Sequence, residues 1–440
     1  MKKCSLLFSI FLLQAFYVNA QTWGALGAGM NDEVFALTTF DSVLYAGGQF
    51  DSAGHHPSRN IAQWNGTQWN NMGVGINGYV NALAIYKGSV YAAGQFDSAG
   101  GTHASNIARW SGTQWNPVSN GIDGRVNCLC VYNDNLYAAG SFDSAGGVYT
   151  YNIAQWNGTT WDSVSAGISN TVFCMAVYND KLYAGGVFAH AGYTPVSYLA
   201  VWNNTAWANA SNGVNNFVYA LDTSRGNLCV GGTFDSAGGI IAANNITQWN
   251  GTTWNALGNG VNSYVNALGA YHGRLYAGGG FTLAGNYNVR NIASWDGSGW
   301  DSLGFGVNSW VNAFTVYGGN LIVGGSFNIA GGDSINYIAQ WNEPALAVKQ
   351  VNPAMSRNEL RIYPNPSNGL FTVDFRAEQQ SGETVIEIYN MLGRRIIQAQ
   401  YLIPNTQYKI NLSKEPAGIY LYRVITKSGK LIGEGKIMIN

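Results

Sequence analysis

Val80-Asn81-Ala82-Leu83-Ala84-Ile85-Tyr86, a turn at Lys87-Gly88, the run Tyr91-Ala92-Ala93-Gly94-Gln95-Phe96-Asp97-Ser98-Ala99-Gly100-Gly101 and, after a variable stretch, Asn106-Ile107-Ala108-Arg109-Trp110 leading to Trp115 make up one unit of this chain. Short apolar runs broken by turn residues predict four strands per unit. A Gly-rich return such as Gly73-Val74-Gly75-Ile76-Asn77 joins one unit to the next. Lys87-Gly88, Arg225-Gly226, His272-Gly273 and Gly318-Gly319 link first to second strands, and Asn65-Gly66, Asn157-Gly158 and Asn250-Gly251 link third to fourth. Such pairs accept positive φ and suit two-residue hairpins.

Tryptophan measures the repeat. One set is Trp64, Trp110, Trp156, Trp202, Trp249, Trp295 and Trp341; a second is Trp23, Trp69, Trp115, Trp161, Trp207, Trp254 and Trp300. Both step by 46 residues with a single step of 47, so 14 of the 15 tryptophans are periodic and Trp310 is the exception. A four-stranded unit of that length, present seven times, matches a propeller, because solenoid repeats are mostly shorter or helical. The chain enters at Trp23, in a fourth strand, and leaves at Trp341, in a third. The N-terminal strand is therefore expected to complete the last blade, leaving no long unpaired edge. The expected fold is all-β: a seven-bladed β-propeller of four-stranded blades over residues 21–342, then a small Ig-like β-sandwich. Blades packed on both faces need large flat side chains at fixed heights, so the periodic tryptophans read as scaffold.

Composition excludes the main alternatives. Of 440 residues, 57 are glycine, nine are proline and only 45 are charged. Disordered chains lack this many aromatics, coiled coils need more Glu and Lys, and collagen needs proline in step with glycine.

The series G-G-x-F-x-x-A-G-G, N-I-A-x-W and W-x-x-x-G-x-G resembles Kelch-type propellers, with its first element complete at Gly231–Gly239 and slightly altered elsewhere, as where Ala93 replaces the first glycine. It is especially similar to the extracellular propeller of fungal cortical cell-polarity marker proteins and their bacterial relatives. The resemblance covers residues 22–342 and implies a fold, not a ligand.

Residues 1–20 read as a signal peptide: Lys2 and Lys3 precede the apolar stretch Leu6–Phe16, and Val18-Asn19-Ala20 offers a cleavable small-residue end. No later segment is apolar for long enough to span a membrane as a helix. Cys128, Cys130, Cys174 and Cys229 replace Ala or Tyr of the repeat and read as buried small residues, not as disulfides.

Charge shifts after the last repeat. Residues 21–342 hold 8 Lys+Arg and 15 Asp+Glu, a net of −7, whereas 343–440 hold 12 and 8, a net of +4. With Lys2 and Lys3 the total is −1, which argues against nucleic acid as a partner. Residues 343–356 read as a linker and 357–440 as a second domain with seven strand-like runs between Leu360 and Ile439. Tyr363-Pro364-Asn365-Pro366, Tyr389-Asn390-Met391-Leu392-Gly393-Arg394 and Pro416-Ala417-Gly418-Ile419-Tyr420, in that order, resemble the type A C-terminal sorting domain of the type IX secretion pathway of Bacteroidota. The resemblance implies the secretion machinery as a partner, passage across the outer membrane, and a secreted or surface-bound product.

Periodic residues are explained by turns and packing, so chemistry must come from residues that break the repeat. Asp51, Asp97, Asp143 and Asp235 share one loop position and read as Asx caps. No paired carboxylates, H-E-x-x-H, Walker A or nucleophile elbow occurs. His55, His56 and His103 occupy corresponding loops but lack a periodic carboxylate, so they read as solvated, with no metal or other cofactor implied. Asp-Ser followed by a small or aliphatic residue, as at Asp51-Ser52-Ala53, looks like an O-glycosylation motif of the same phylum, though half the examples are the repeat turn.

The position before each first-strand valine reads Glu33, Tyr79, Arg125, Thr171, Phe217, Tyr264 and Trp310. Four of these seven are aromatic. Trp310, Tyr264, Phe217, Tyr79 and Arg125 are the expected ligand-binding rim, suited to sugar rings or to a partner's apolar anchor. The expected function is a secreted or surface binding and adhesion module for a glycan or protein, with no catalytic residue. The alternative is a carbohydrate-active hydrolase or lyase.

Overall fold

The computed structural model describes residues 22–239, 241–342, 360–375, 382–390, 395–403, 407–426 and 431–439. The signal segment, the linker and Gly393 lie outside them. Chain contacts divide the molecule near residue 344 into two units.

The first unit is all-β, with no helix among the described residues. Its main sheets are seven four-stranded antiparallel ones, over residues 34–71, 79–117, 125–163, 172–209, 218–256, 265–302 and 311–342. They are called sheets 1 to 7 here. The fourth strand of sheet 7 is Thr22–Ala25, which pairs with Ile338–Asn342 so that Trp23 faces Trp341. First strands of successive sheets touch, and Val34–Phe40 also touches Val311–Tyr317, so the series returns on itself. This arrangement is consistent with a β-propeller-like fold.

The tryptophan ladders hold the outer strands. In each sheet the third- and fourth-strand tryptophans sit together, with ring centroids 5.1 Å apart for Trp23–Trp341 and 5.4 Å for Trp64–Trp69. The second of each pair also donates its indole N–H backwards: Trp69 to the Leu26 carbonyl at 2.8 Å, Trp115 to Met72 at 2.9 Å and Trp300 to Leu257 at 2.8 Å. One side chain thus packs within its own sheet and ties it to the preceding one.

Turns differ from expectation at one end. Lys87-Gly88, Arg225-Gly226, His272-Gly273 and Gly318-Gly319 have positive φ at both residues, as a two-residue hairpin requires. The third-to-fourth connections are instead four-residue loops, because Trp64 pairs with Trp69 and only Gly66 takes positive φ. Asn65 Oδ1 closes this loop by accepting the N–H groups of Thr67 and Gln68 at 3.0 and 2.9 Å. The Asn side chain is the acceptor that shapes the turn, so its backbone need not enter the left-handed region.

The loop aspartates are also placed differently. The acceptor at this turn comes from the loop entering the first strand: Asn31 Oδ1 accepts the N–H groups of Asp51 and Ser52 at 2.9 Å each, and Asn77 and Asn215 do the same in their sheets. Asp97 and Asp235 accept a hydrogen bond from those same asparagines rather than capping a turn.

The four cysteines are free, and burial raises the thiol pKa of Cys130 and Cys229 to about 12. Cys174 and Cys229 are buried as expected, whereas Cys128 and Cys130 are only partly buried, packed against the core that sheet 3 shares with sheet 4.

The second unit contains a three-stranded sheet of Leu360–Tyr363, Leu370–Phe375 and Gln407–Asn411 and a four-stranded sheet of Gly382–Asn390, Arg395–Ile403, Gly418–Thr426 and Leu431–Ile439. Phe371, Val373, Ile386, Ile388, Val424 and Ile437 form one core from both sheets.

Candidate functional site

Every first strand begins with a β-bulge, and the glycines of the repeat explain it. The register slips between Val34 and Ala36, Val80 and Ala82, Val126 and Cys128, and at the four equivalent places. Opposite lies the second glycine of the Gly-Gly pair. A Cβ at Gly48 would collide with the Glu33 carbonyl, and one at Gly94 with that of Tyr79. A Cβ at the first glycine, Gly47, would strike Val80 of the next sheet. Gly-Gly therefore lets a strand kink and lets the next sheet approach. A bulge re-aims the extra residue, and here the extra residues are Phe35, Asn81, Asn127, Phe173, Tyr219, Asn266 and Asn312.

All seven of these line one cavity of about 700 Å³, together with Gln95, Arg125, Ser141 and Thr171. Its volume lies within the range of about 300–1,000 Å³ typical of small-molecule sites. Three of the four asparagines have the same job: the side-chain N–H of Asn81 donates to the Val126 carbonyl at 3.0 Å, Asn127 to Val172 at 2.9 Å and Asn312 to Val34 at 3.3 Å. Only an amide nitrogen can donate to a carbonyl, so the orientation of these groups is settled. Each Oδ1 is left as an acceptor at the cavity wall, with no donor to it among the described residues. The remaining units place Phe35, Phe173 and Tyr219 here, and the last two rings lie 5.2 Å apart.

The rim residues lie two positions before the bulge residues. Of the five expected, Arg125 lines the cavity, whereas Tyr79, Phe217, Tyr264 and Trp310 are not part of its lining. Trp310 is 49% exposed and Tyr79 42%, in contrast to the periodic tryptophans, all but one of which are buried (Trp23 is half-buried). Trp310 meets Tyr264 edge to face at 5.8 Å, Phe217 meets Tyr219 at 6.4 Å and Tyr79 meets Phe35 at 6.4 Å. Tyr264 lies over Gly280, where any Cβ would collide with its ring. Burial there raises the Tyr264 phenol above its ordinary pKa, opposed by a hydrogen bond with Trp310. The rim is thus a set of local aromatic pairs leaning on the bulge ring. It is not one continuous belt.

Sequence reasoning missed three features. The bulge ring was written in the unit as V-N-A-L, but a position following a core valine reads as strand face until the bulge is known. Asp222 lies in a first strand where other units carry Thr, Ala, Cys or Gly, and it lines a second cavity, of about 370 Å³, that shares four asparagines with the first. Burial raises its carboxyl pKa to about 6, opposed by the N–H groups of Thr223, at 2.7 Å, and Ala270. An acid breaking the repeat was a signal available in the sequence. Third, Tyr193 is 92% exposed and Tyr149 73%, and Tyr149 stacks on Tyr151 with centroids 6.2 Å apart. These sit on the second-to-third loops of sheets 3 and 4, at the end of the strands that carries the cavity. The histidines form no metal group: among the described residues no three His, Cys, Asp or Glu side chains cluster.

In the second unit, Asn365 stitches the Tyr363–Pro366 turn to the last strand, its Nδ2 donating to the Lys436 carbonyl and its Oδ1 accepting from the Met438 N–H, each at 2.8 Å. Tyr420, buried in the core, donates its hydroxyl to the Pro416 carbonyl at 2.7 Å. Tyr363, Asn365 and Tyr420 therefore stabilise the tail's own fold.

No curated protein matches the chain by sequence. Among solved structures, the extracellular domain of a B. thetaiotaomicron protein is similar over 96% of this chain at 10% identity and a TM-score of 0.46, and this chain spans 58% of its length. A structural-genomics protein of unknown function from Bacteroides thetaiotaomicron aligns over 73% of this chain and 72% of its own, at 9% identity and a TM-score of 0.38. A DUF3244 family protein with an immunoglobulin-like β-sandwich fold, from Bacteroides vulgatus, aligns over 19% of this chain and 86% of its own, at 14% identity and a TM-score of 0.16. No described helix is long and apolar enough to cross a membrane. Residues 361–440 match the family described as the secretion system C-terminal sorting domain, which confirms the type IX sorting tail and places the protein outside the cell or on the outer-membrane surface.

Proposed function

We propose that residues 22–342 form a seven-bladed, Kelch-like propeller whose channel mouth binds a glycan or protein ligand, and that the chain is an exported binding and adhesion module carried by its Ig-like sorting tail. One observation carries this reading: the seven bulge residues converge on a single cavity of ligand size, and in three units Phe35, Phe173 and Tyr219 replace the asparagine that the other four carry. A scaffold has no use for that difference. Aromatic faces between amide oxygens suit ligands that are part apolar and part hydrogen-bonding. The test is retention of the mature chain on a glycan and surface-protein panel, with Asn127→Ala and Trp310→Ala compared with wild type. The reading fails if whatever is retained ignores both substitutions.

A hydrolase or lyase is the second reading, and Asp222 favours it, since a carboxyl group with a pKa near 6 suits a general acid. Against it, no other carboxylate lines either cavity among the described residues, whereas glycoside hydrolysis ordinarily uses two. Product formation from any retained glycan, abolished by Asp222→Asn, would decide for the enzyme.

A further inference from the structure

We infer that the mouth selects a carboxylated sugar: the terminal residue of a short acidic oligosaccharide, its carboxylate held by Arg125 and its hydroxyls by the amide oxygens of the bulge ring. The inference rests on the binding reading above and names the ligand class.

Arg125 is the only cationic residue among those lining the cavity, where it is exposed to solvent and so open to a ligand. A guanidinium open at a cavity wall is a bidentate site for a carboxylate. Ser141 and Thr171, on the same side, can donate to further oxygens. Asn81, Asn127 and Asn312 add acceptors: one N–H of each is held by a valine carbonyl, which fixes the amide and leaves its oxygen for a hydroxyl donor. The ring pair Phe173–Tyr219 supplies a wall for the apolar face of a pyranose.

A carboxylate, several hydroxyls on one ring and a flat apolar face together describe an acidic monosaccharide, which brings all three in one compact unit, whereas a peptide would have to supply them from separate side chains. The net charge of −7 over residues 21–342 points to a sparsely charged ligand and away from a polyanion. Exposed Tyr149, Tyr151 and Tyr193 on sheets 3 and 4 give the following sugars a surface at the same end of the strands.

The experiment is titration calorimetry of the mature full-length chain with paired tetrasaccharides. One set ends in glucuronate, galacturonate, mannuronate or N-acetylneuraminate; the other set is the same compounds with the carboxyl reduced to an alcohol. At least one acid should bind about tenfold or more tightly than its reduced partner. Arg125→Gln should erase that preference at an unchanged thermal midpoint, and Arg125→Lys should keep part of it. Tyr149→Ala with Tyr151→Ala should weaken the tetrasaccharide and not the monosaccharide.

Equal binding of acid and reduced forms, or a preference that survives Arg125→Gln, overturns the inference and leaves the mouth as a binding site. Tighter binding of an acidic peptide overturns the sugar assignment. If no acidic sugar binds the folded chain, the inference fails, while the broader reading stands or falls on the panel with Asn127→Ala.

Discussion

The two ends of the innermost strands solve the same packing problem with different tolerance. At the turn end, Tyr86, Tyr132, Tyr178 and Tyr271 each donate a hydroxyl to a turn carbonyl of the next sheet, at 2.8, 2.9, 3.2 and 2.6 Å. At the mouth end, Asn81, Asn127 and Asn312 make the corresponding link to a valine carbonyl. The turn end departs from tyrosine only at Phe40 and Ser224. The mouth end gives up its asparagine in three units, for Phe35, Phe173 and Tyr219, and its flanking position is different in nearly every unit. A link that is surrendered where the larger cavity opens is a structural contribution exchanged for surface chemistry.

The largest effect should come from testing a tryptophan of the outer strands against the one that is out of phase with the repeat. Trp69, 1% exposed and hydrogen-bonded to Leu26, should cost about 3–5 kcal/mol on replacement by alanine. Trp310→Ala should stay within about 0.5 kcal/mol of wild type, because half of its surface is already in water. Denaturant unfolding of the mature chain measures both, and equal losses would erase the distinction between scaffold and mouth.

The paired links come next. Tyr132→Phe and Asn127→Ala should each lose about 1 kcal/mol, the worth of one interior hydrogen bond. Only Asn127→Ala should also weaken ligand retention. A binding loss in Tyr132→Phe would mean that the staples position the ligand site from both ends.

The smallest effect is a pH dependence from Asp222. Its folded pKa, about 6, lies above the ordinary carboxyl value of 3.8, so the folded state holds its proton more tightly than the unfolded chain. Stability should therefore fall as pH rises from about 4 to about 6. Asp222→Asn should flatten the thermal midpoint across that window. An unchanged slope would mean that the carboxylate is solvated.

Much of the framework could be read directly, and the reason is repetition. Trp23 opposite Trp341 followed from phase alone, since a fourth strand at one end and a third at the other have no other partner. The two-residue turns followed from residue pairs tolerant of positive φ, whereas the Asn65-Gly66 loop was misjudged because a side-chain acceptor can replace a backbone conformation. The rim position was visible through Trp310, the tryptophan out of phase. The ring behind it was not, because a bulge moves a residue to another face without changing the residue type. Phe173 and Asn127 look like ordinary strand residues until the single glycine opposite each slip, Gly186 or Gly140, is seen to make room for it. Asp222 is hidden for a simpler reason: it lies within a strand, whereas most of the propeller's other acids lie in loops and turns.

The central claim is that the mouth end, and not the turn end, carries recognition. Its most direct test is the affinity of the mature chain for a panel-retained glycan in two double variants. One is Arg125→Gln with Asn127→Ala at the mouth; the other is Lys87→Ala with Arg225→Ala at the turns. The account predicts a loss of about tenfold or more in the first and less than about twofold in the second. The reverse order, or equal losses in both, would contradict it.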